Sequence, residues 1–555
     1  MQDINFRDQH HLSLYKNLWH ADHIILGKRL GFDHEINGDN LTMVVDLRTC
    51  SRKALMEFLK ASFHDVVHSN TYSVYRKELY RALKERYDAI RSTFYNECIT
   101  RNPYHAKLRP YQVDDLCAMA YKRYNLLSWS MGLGKTLGSV SLSRALNIRR
   151  TIIVCPASVK WSIFRDLTEN WGYNPMYFTV LDAQKRSCLT AFQERFVIVN
   201  YDVIGKYMDY LCGSEAGHII LDECHKVKEV STTRFKMVEK LIRAHNGVRV
   251  TMMSGTPIRN RPNDLFALLR LAEHPLGENH AAFLREFTRS KSNNGRVTVT
   301  GGKNLDRLFS SLSNFLIRRT KEECLKDLPD KVIQKYIIKS DEYLEEYNKI
   351  IEEMMQVDNT GPTLNGSIHS LNRLVSMAKL NASPGIINLI DSITEGGQKV
   401  VVFSFYKSVI EKLQEHYKGQ CAVIHGGVNV SKRDEAITRF KNDESCMVFI
   451  GQTDAAGEGI DLTVSSQAIF CDIPFTSTQL DQALSRVHRS RQKSCVNVYY
   501  CMAEDSIDDM LFELVAGKAK DISEAIDRDK PTLDYDNIGQ QLFNKLISNY
   551  KRTHA

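Results

Sequence analysis

Two successive sets of short β-branched runs, apolar on both faces, constrain this chain more than any other feature. The first set reads TIIVC from Thr151, FVIVN from Phe196, HIILD from His218 and VRVTMMS from Val248, with helix-period segments between. The second reads KVVVFSF from Lys399, CAVIH from Cys421, CMVFI from Cys446, QAIFC from Gln467 and VNVYY from Val496. A strand with one wet face alternates apolar and polar residues. A run apolar on both faces belongs in a parallel sheet covered by helices on each side. Two such sets predict two α/β lobes with parallel sheets.

The remaining composition narrows the class. At 555 residues the chain has room for several domain-sized units. Its apolar share of 43% and charged share of 25% are ordinary for a globular protein. No apolar run approaches the roughly 20 residues that span a bilayer. The start of the chain, MQDINFRDQHHLSLYKNLWH, has early acidic residues and lacks the basic start and apolar core of a secretory signal. An intracellular protein without a membrane partner is expected. Thirteen cysteines without a C-x-x-C pair argue against a disulfide framework or a zinc knuckle and for reduced core residues. A formal charge of +8 favours a phosphate-rich partner only weakly.

The organisation divides as follows. Residues 1–107 form an accessory region that is mixed but mainly helical, with one strand-like run, LTMVVDL, at 41–47. In it Tyr75, Leu79, Leu83, Tyr87 and Ile90 recur at helical spacing among Arg76, Lys77, Arg81, Lys84 and Arg86. That basic helix either touches a phosphate backbone or is simply a solvated face, and the second is the simpler reading. The first lobe is expected at 108–315, a linker and helical protrusion at 316–390, the second lobe at 391–533 and a C-terminal helix at 534–555. QVDNTGPTLNGS (356–367) reads as a loop. In the tail, Leu542, Phe543, Leu546, Ile547 and Tyr550 have the spacing of a packed brace.

The chemistry is carried by WSMGLGKT (129–136), which follows a strand-like NLL and leads into a helix. Strand, glycine-rich turn and helix N-terminus are what phosphate binding needs: backbone N–H groups of Met131, Gly132, Leu133 and Gly134 turn inward, and the helix end adds partial positive charge. Lys135 would meet the β- and γ-phosphates of ATP, and the Thr136 hydroxyl would hold Mg²⁺. LDECH places Asp222 and Glu223 just after an apolar strand, at the carboxyl edge where α/β proteins bind ligands. Asp222 suits the Mg²⁺ shell; Glu223 suits orienting or deprotonating the attacking water. QALSRVHR supplies Gln482, Arg486 and Arg489 for the charge that moves as the γ-phosphate departs. In VCPASVKW, Ser158 and Lys160 follow a strand and suit nucleic-acid phosphate contact, while packing by Trp161 is an equally good role for the segment.

The ordered set LRPYQ (108–112), MGLGKT, VCPASVKWS (154–162), VNYD (199–202), DECH, MSGTPIRN (253–260), LIRRTKEECLKDLP (316–329), AAGEGIDLT (455–463) and QALSRVHRSRQ (482–492) resembles the Swi/Snf-type DNA-dependent ATPases of helicase superfamily two, in a compact form. The resemblance implies two tandem RecA-like P-loop lobes. It implies that Gln112 contacts adenine, that Gly459 and Asp461 lie near the phosphates, that Ser254 and Thr256 couple hydrolysis to lobe movement, and that His225 links the hydrolytic site to that coupling segment. The sequence also departs from the family. Trp129 and Ser130 stand where it usually shows an acidic pair, Cys224 where alanine is common, Asp461 where asparagine is common, and Ser490–Arg491 where an Ile-Gly step is usual.

The expectation is an ATP-dependent DNA translocase or helicase using ATP and Mg²⁺ on duplex, forked or branched DNA. An RNA helicase, the motor subunit of a nuclease assembly and a catalytically silent nucleic-acid-binding scaffold are the competing readings.

Overall fold

The structure is a computed structural model. It describes all residues except 1–3, 8–10, 16–20, 38–39, 51, 63–71, 103–106, 183–194, 256–261, 294–295, 357–361, 454–459, 490–491, 516–537 and 554–555. Apart from three residues of one turn, the chain divides between Thr320 and Lys321: one compact unit contains Met1–Ser130 and Gly134–Thr320, the other Met131–Leu133 and Lys321–Ala555.

The first unit opens with β1 (Ile4–Phe6), β2 (His11–Tyr15), α1 (Ala21–Arg29), β3 (Asp33–Asn37), β4 (Asn40–Asp46), α2 (Arg52–Ser62) and the long α3 (Tyr72–Glu97). Its strands form an antiparallel sheet in the order β1-β2-β4-β3. The sequence reading found only β4 in this region. The other strands are short: β3 (DHEIN) is polar, and the alternation in INF and HLSLY runs over only three to five residues, too few to stand out. Leu83, Ile90 and Phe94 of α3 are buried, whereas Arg81 and Lys84 are exposed. The side chains of Tyr75, Arg76, Lys77 and Leu79 lie outside the described residues. This region is fastened to the rest of its unit. The Arg29 guanidinium donates to both carboxylate oxygens of Glu286, at 3.1 and 2.9 Å, and Asn314 donates to the Leu30 carbonyl at 2.9 Å.

The remainder of the unit contains α4 (Pro110–Ala120), β5 (Tyr124–Trp129), α5 (Lys135–Ala145), β6 (Thr151–Cys155), α6 (Lys160–Arg165), β7 (Phe178–Val180), β8 (Phe196–Asn200), β9 (His218–Leu221) and β10 (Arg249–Met253). An antiparallel hairpin, β11 (Thr288–Asn293) with β12 (Arg296–Gly302), precedes β13 (Leu316–Arg319). Among the described residues the sheet is seven-stranded and parallel, in the order β13-β5-β10-β9-β6-β8-β7. Every residue of β6, β8 and β9 is buried, as the doubly apolar runs require. Full burial of each Val, Ile or Phe side chain contributes about 1.5–3 kcal/mol.

The second unit holds β14 (Lys331–Ile338), α7 (Pro362–Asn381), β15 (Val400–Ser404), β16 (Cys421–Ile424), α8 (Val430–Asn442), β17 (Val448–Gln452), β18 (Gln467–Phe470), α9 (Ser477–Val487), β19 (Val496–Ala503) and α10 (Ile538–Thr553). Its parallel sheet has the order β14-β19-β18-β15-β17-β16. The stretch expected as linker and protrusion therefore also contributes an edge strand to each sheet, β13 to the first and β14 to the second. Within the loop expected at 356–367, Pro362 instead starts a 20-residue helix. Proline at the first helical position has no N–H to waste and a φ already suited to the helix. Leu542 and Leu546 of α10 are buried in the second core. A fully buried ion pair, Lys379 Nζ to Asp508 Oδ2 at 2.7 Å, fixes α7 to the end of β19.

Together the two units are tandem RecA-like lobes with an N-terminal mixed domain. Among the described residues no disulfide forms and most cysteines are buried. No described helix is long and apolar enough to cross a membrane.

Candidate nucleotide and coupling site

Parallel strands gather their carboxyl ends on one edge, and in the first unit that edge carries most of the predicted residues. β10 pairs with both β5 and β9, matching Met253 with Leu127 and Met252 with Leu221. The turn after β5, the acidic pair after β9 and Ser254 after β10 consequently emerge together.

The turn is built by glycine. Gly132 and Gly134 have φ of +86° and +77°, in the left-handed region where a side chain is strained. A Cβ on Gly134 would come within 2.8 Å of Gln112 Nε2. Gln112 itself is buried and oriented, because its Oε1 accepts from the Arg109 N–H at 2.8 Å. Lys135 Nζ donates to the Trp129 carbonyl at 2.9 Å, across the mouth of the turn. Thr136 follows as the second residue of α5. These residues fit a triphosphate: a glycine turn that no Cβ may fill, a lysine at its mouth and a hydroxyl one residue on.

Asp222 is anchored through its backbone. Its N–H donates to the Val154 carbonyl at 2.7 Å, and its carbonyl accepts from Tyr201 Oη at 2.8 Å. Glu223 takes a left-handed φ of +48° at the following step. His225, also buried, brings Nδ1 within 3.2 Å of Glu223 Oε2 and 3.3 Å of Ser254 Oγ. One ring nitrogen therefore lies within reach of both the acidic pair and the segment after β10, and can bond to one of them at a time. Thr256 lies outside the described residues.

Lys160 is placed differently from a surface contact. It is 4% exposed, with Nζ 3.2 Å from Asp182 Oδ2 and 3.4 Å from the Leu181 carbonyl. Trp161 packs edge-on against Phe164 with ring centroids 5.9 Å apart. Packing is the role this geometry supports for Lys160 and Trp161. Ser158 is half-buried at the end of the β6 turn.

In the second unit, α9 is capped by Thr476, whose Oγ1 accepts from Gln479 N–H at 3.2 Å. Gln482 and Arg486, four apart, share one helix face. The Arg486 carbonyl accepts from Leu462 N–H at 3.0 Å, and Arg489 Nη1 donates to the Ile460 carbonyl at 3.4 Å. Ile460 and Leu462 are thus tied to Arg486 on α9 and to Arg489 just beyond it. Asp461 accepts from Thr463 N–H at 3.2 Å and Thr463 Oγ1 at 2.9 Å. Burial pushes its carboxyl up, but Arg489, Lys441 and the Thr463 bonds outweigh that and hold it below the ordinary carboxylate value. Asp461 also lines a cavity of about 450 Å³ with Lys441, Thr463, Gln492 and Lys493. Gly459, Ser490 and Arg491 lie outside the described residues.

Three residues gain roles the sequence did not assign. Asp115 accepts from the indole of Trp129 and from the guanidinium of Arg319. Lys321 Nζ donates to the His488 carbonyl at 2.9 Å. Burial first, then Lys331 and Arg486, lower the Lys321 amine to about 8 against the opposing pull of Asp481 and Glu322.

Sheets, glycine turn, acidic pair and arginine helix define a two-lobed P-loop ATPase of the helicase type. The SNF2-related domain family matches residues 111–386 and the helicase conserved C-terminal domain matches 384–491, so the chain belongs to the Swi/Snf-type ATPases of helicase superfamily two. It is similar to the SWI/SNF-related matrix-associated actin-dependent regulator of chromatin subfamily A-like protein 1 homolog of Caenorhabditis elegans, 27% identical over 428 residues, 74% of this chain and 61% of that protein. It is also similar to the DNA annealing helicase and endonuclease ZRANB3 of Homo sapiens, 26% identical over 437 residues, 75% of this chain and 40% of that protein. The chain thus spans about two fifths to three fifths of the length of these relatives. Among solved structures, the Sulfolobus solfataricus SWI2/SNF2 ATPase core in complex with dsDNA is 22% identical, covering 76% of this chain and 93% of that one with a TM-score of 0.37.

Proposed function

We propose that this chain is a DNA-dependent ATPase that converts ATP hydrolysis into movement on, or remodelling of, duplex and branched DNA. The observation that carries the reading is His225 Nδ1 within reach of both Glu223 and Ser254, an either-or bridge that sets a hydrolytic carboxylate beside the segment assigned to coupling. A silent scaffold has no use for such a bridge.

In this reading Gln112 engages adenine, and the backbone of 131–134 with Lys135 neutralises the phosphates. Thr136 and Asp222 would hold Mg²⁺, which supplies charge neutralisation at the β- and γ-oxygens. Glu223 orients the attacking water. By the family resemblance alone, Gln482, Arg486 and Arg489 are assigned the polar and positive groups for the transferring phosphoryl group, and Gly459 and Asp461 a role toward the phosphates. Gating chemistry on lobe movement is how such motors couple hydrolysis to stepping. His225, Ser254 and Thr256 pass the state of the nucleotide to that movement.

The nucleic acid is gripped by its backbone, since a motor must tolerate every sequence it meets. Ser158 remains a phosphate contact in this scheme, and Lys160 holds the loop behind it through Asp182. The N-terminal domain recognises DNA structure through Arg81 and Lys84 of α3. A relative named as a DNA annealing helicase supports DNA as the substrate, and forks and branches are the forms we propose.

The test compares ATPase stimulation by duplex DNA, single strands, forks and RNA of equal length. Forked or duplex DNA is expected to stimulate most, with stimulation falling steeply as salt rises. Stimulation by RNA above that by every DNA would overturn the proposal.

A further inference from the structure

We infer that Asp115 is a positioning residue for ATP hydrolysis, locking the phosphate-binding turn to the strand by which the chain leaves the first lobe. Its carboxylate is 7% exposed. Oδ2 accepts from Trp129 Nε1 at 2.8 Å and from Arg319 Nε at 3.0 Å, and Oδ1 accepts from Arg319 Nη2 at 2.7 Å. One buried carboxylate therefore takes three N–H bonds, two of them in the bidentate geometry that is strongest for arginine.

Each partner touches a working part of the site. Trp129 is the last residue of β5 and fully buried, and its ring lies 3.0 Å from where a Cβ of Gly138 would stand, over the first turn of the helix that carries Lys135 and Thr136. Its carbonyl is the acceptor on which Lys135 Nζ rests. Tyr111 closes the other side, edge-on at 5.4 Å. Gln112 and Asp115 are three apart on α4, so the adenine-side residue and the lock share one helix face. Arg319 ends β13 in register with Trp129, and its carbonyl accepts from Ser130 N–H at 2.9 Å.

The lock sits one residue from the boundary between the units. Arg319 is held by Asp115, Thr320 closes the first unit, and Lys321 is already fixed in the second through the carbonyl of His488, which lies between Arg486 and Arg489 in sequence. When Lys135 leaves the Trp129 carbonyl to meet a phosphate, the change is felt at Trp129. Asp115 relays it to Arg319 at the start of that short path. Fold-holding alone would not require this carboxylate to contact the residue on which the catalytic lysine rests.

The inference rests on the ATPase reading, and two measurements separate their failures. The first is hydrogen–deuterium exchange across 316–324 with and without a non-hydrolysable ATP analogue. Wild type is expected to gain protection there at least ~3-fold, and Asp115→Asn to lose that gain while still melting cooperatively. A wild type whose exchange at 316–324 ignores a bound analogue would overturn the inference whatever the fate of hydrolysis. The second is a kcat and KM comparison for wild type, Asp115→Asn, Arg319→Gln and the double variant with saturating duplex DNA. A drop of about 10-fold in kcat is expected for each single change, with KM for ATP moving less than about 3-fold and the double no worse than either. Trp129→Phe, which removes the N–H together with the Cζ3 and Cη2 atoms that face Gly138, should lower kcat at least about 3-fold. Unchanged kcat in folded variants of an active enzyme, or losses that multiply in the double, would sink it.

Discussion

His225 Nδ1 stands 3.3 Å from Ser254 Oγ and 3.2 Å from Glu223 Oε2, so the two compete for one ring nitrogen. Removing the imidazole should separate hydrolysis from motion. His225→Ala and Ser254→Ala are expected to keep DNA-stimulated phosphate release within about 5-fold of wild type. Displacement of a third strand from triplex DNA per ATP consumed should fall about 10-fold. Parallel losses in both assays would show that the bridge serves hydrolysis alone.

Gly134 combines a φ of +77° with a neighbour, Gln112 Nε2, 2.8 Å from any added Cβ. The left-handed conformation alone costs a side chain about 1–2 kcal/mol, and a substituted turn that relaxes when empty must take that cost back on binding, roughly 5- to 30-fold in affinity. Gly134→Ala should weaken ATP affinity by at least that factor, measured by calorimetry. Adding Gln112→Ala should recover part of the loss, because it removes the clash but not the strain. Wild-type affinity in Gly134→Ala would mean that the turn does not hold the phosphates.

Asp472 in the second lobe accepts from Ser404 Oγ and the Phe405 N–H, and burial pushes its carboxyl up to about 6 from 3.8 despite those bonds and Lys379. Between these values the folded chain holds a proton the unfolded chain has released. The group's contribution to stability is therefore fully present below pH 3.8 and lost as pH rises through 6. The stability of wild type relative to Asp472→Asn should fall by on the order of 3 kcal/mol across that window. Denaturant midpoints at several pH values check it; a difference flat with pH contradicts the assignment.

Much of this molecule is legible in the residues because its strands are buried on both faces. TIIVC, FVIVN, HIIL and VVVFS announce themselves by composition. The motifs are equally open, since a glycine turn and an acidic pair are local patterns. What escaped is non-local or polar. β1 and β2 alternate over too few residues to stand out, β3 is polar, and β13, LIRR, is half-buried at an edge. Lys160 reads as a phosphate ligand until Asp182, 22 positions on, captures its ammonium. Asp115 and Arg319 are 204 positions apart, and no spacing rule joins them. The one clue was Trp129: a large ring at the end of β5, where the family shows an acid, needs a glycine to lie against and an acceptor for its N–H, which Gly138 and Asp115 provide.

The most direct test of the central claim is phosphate release from ATP by wild type and Lys135→Ala, each with and without duplex DNA. Wild type is predicted to be stimulated at least ~10-fold by the DNA, and Lys135→Ala to lose both the basal and the stimulated rate. Equal rates from the two proteins, or a wild-type rate indifferent to nucleic acid, would contradict it.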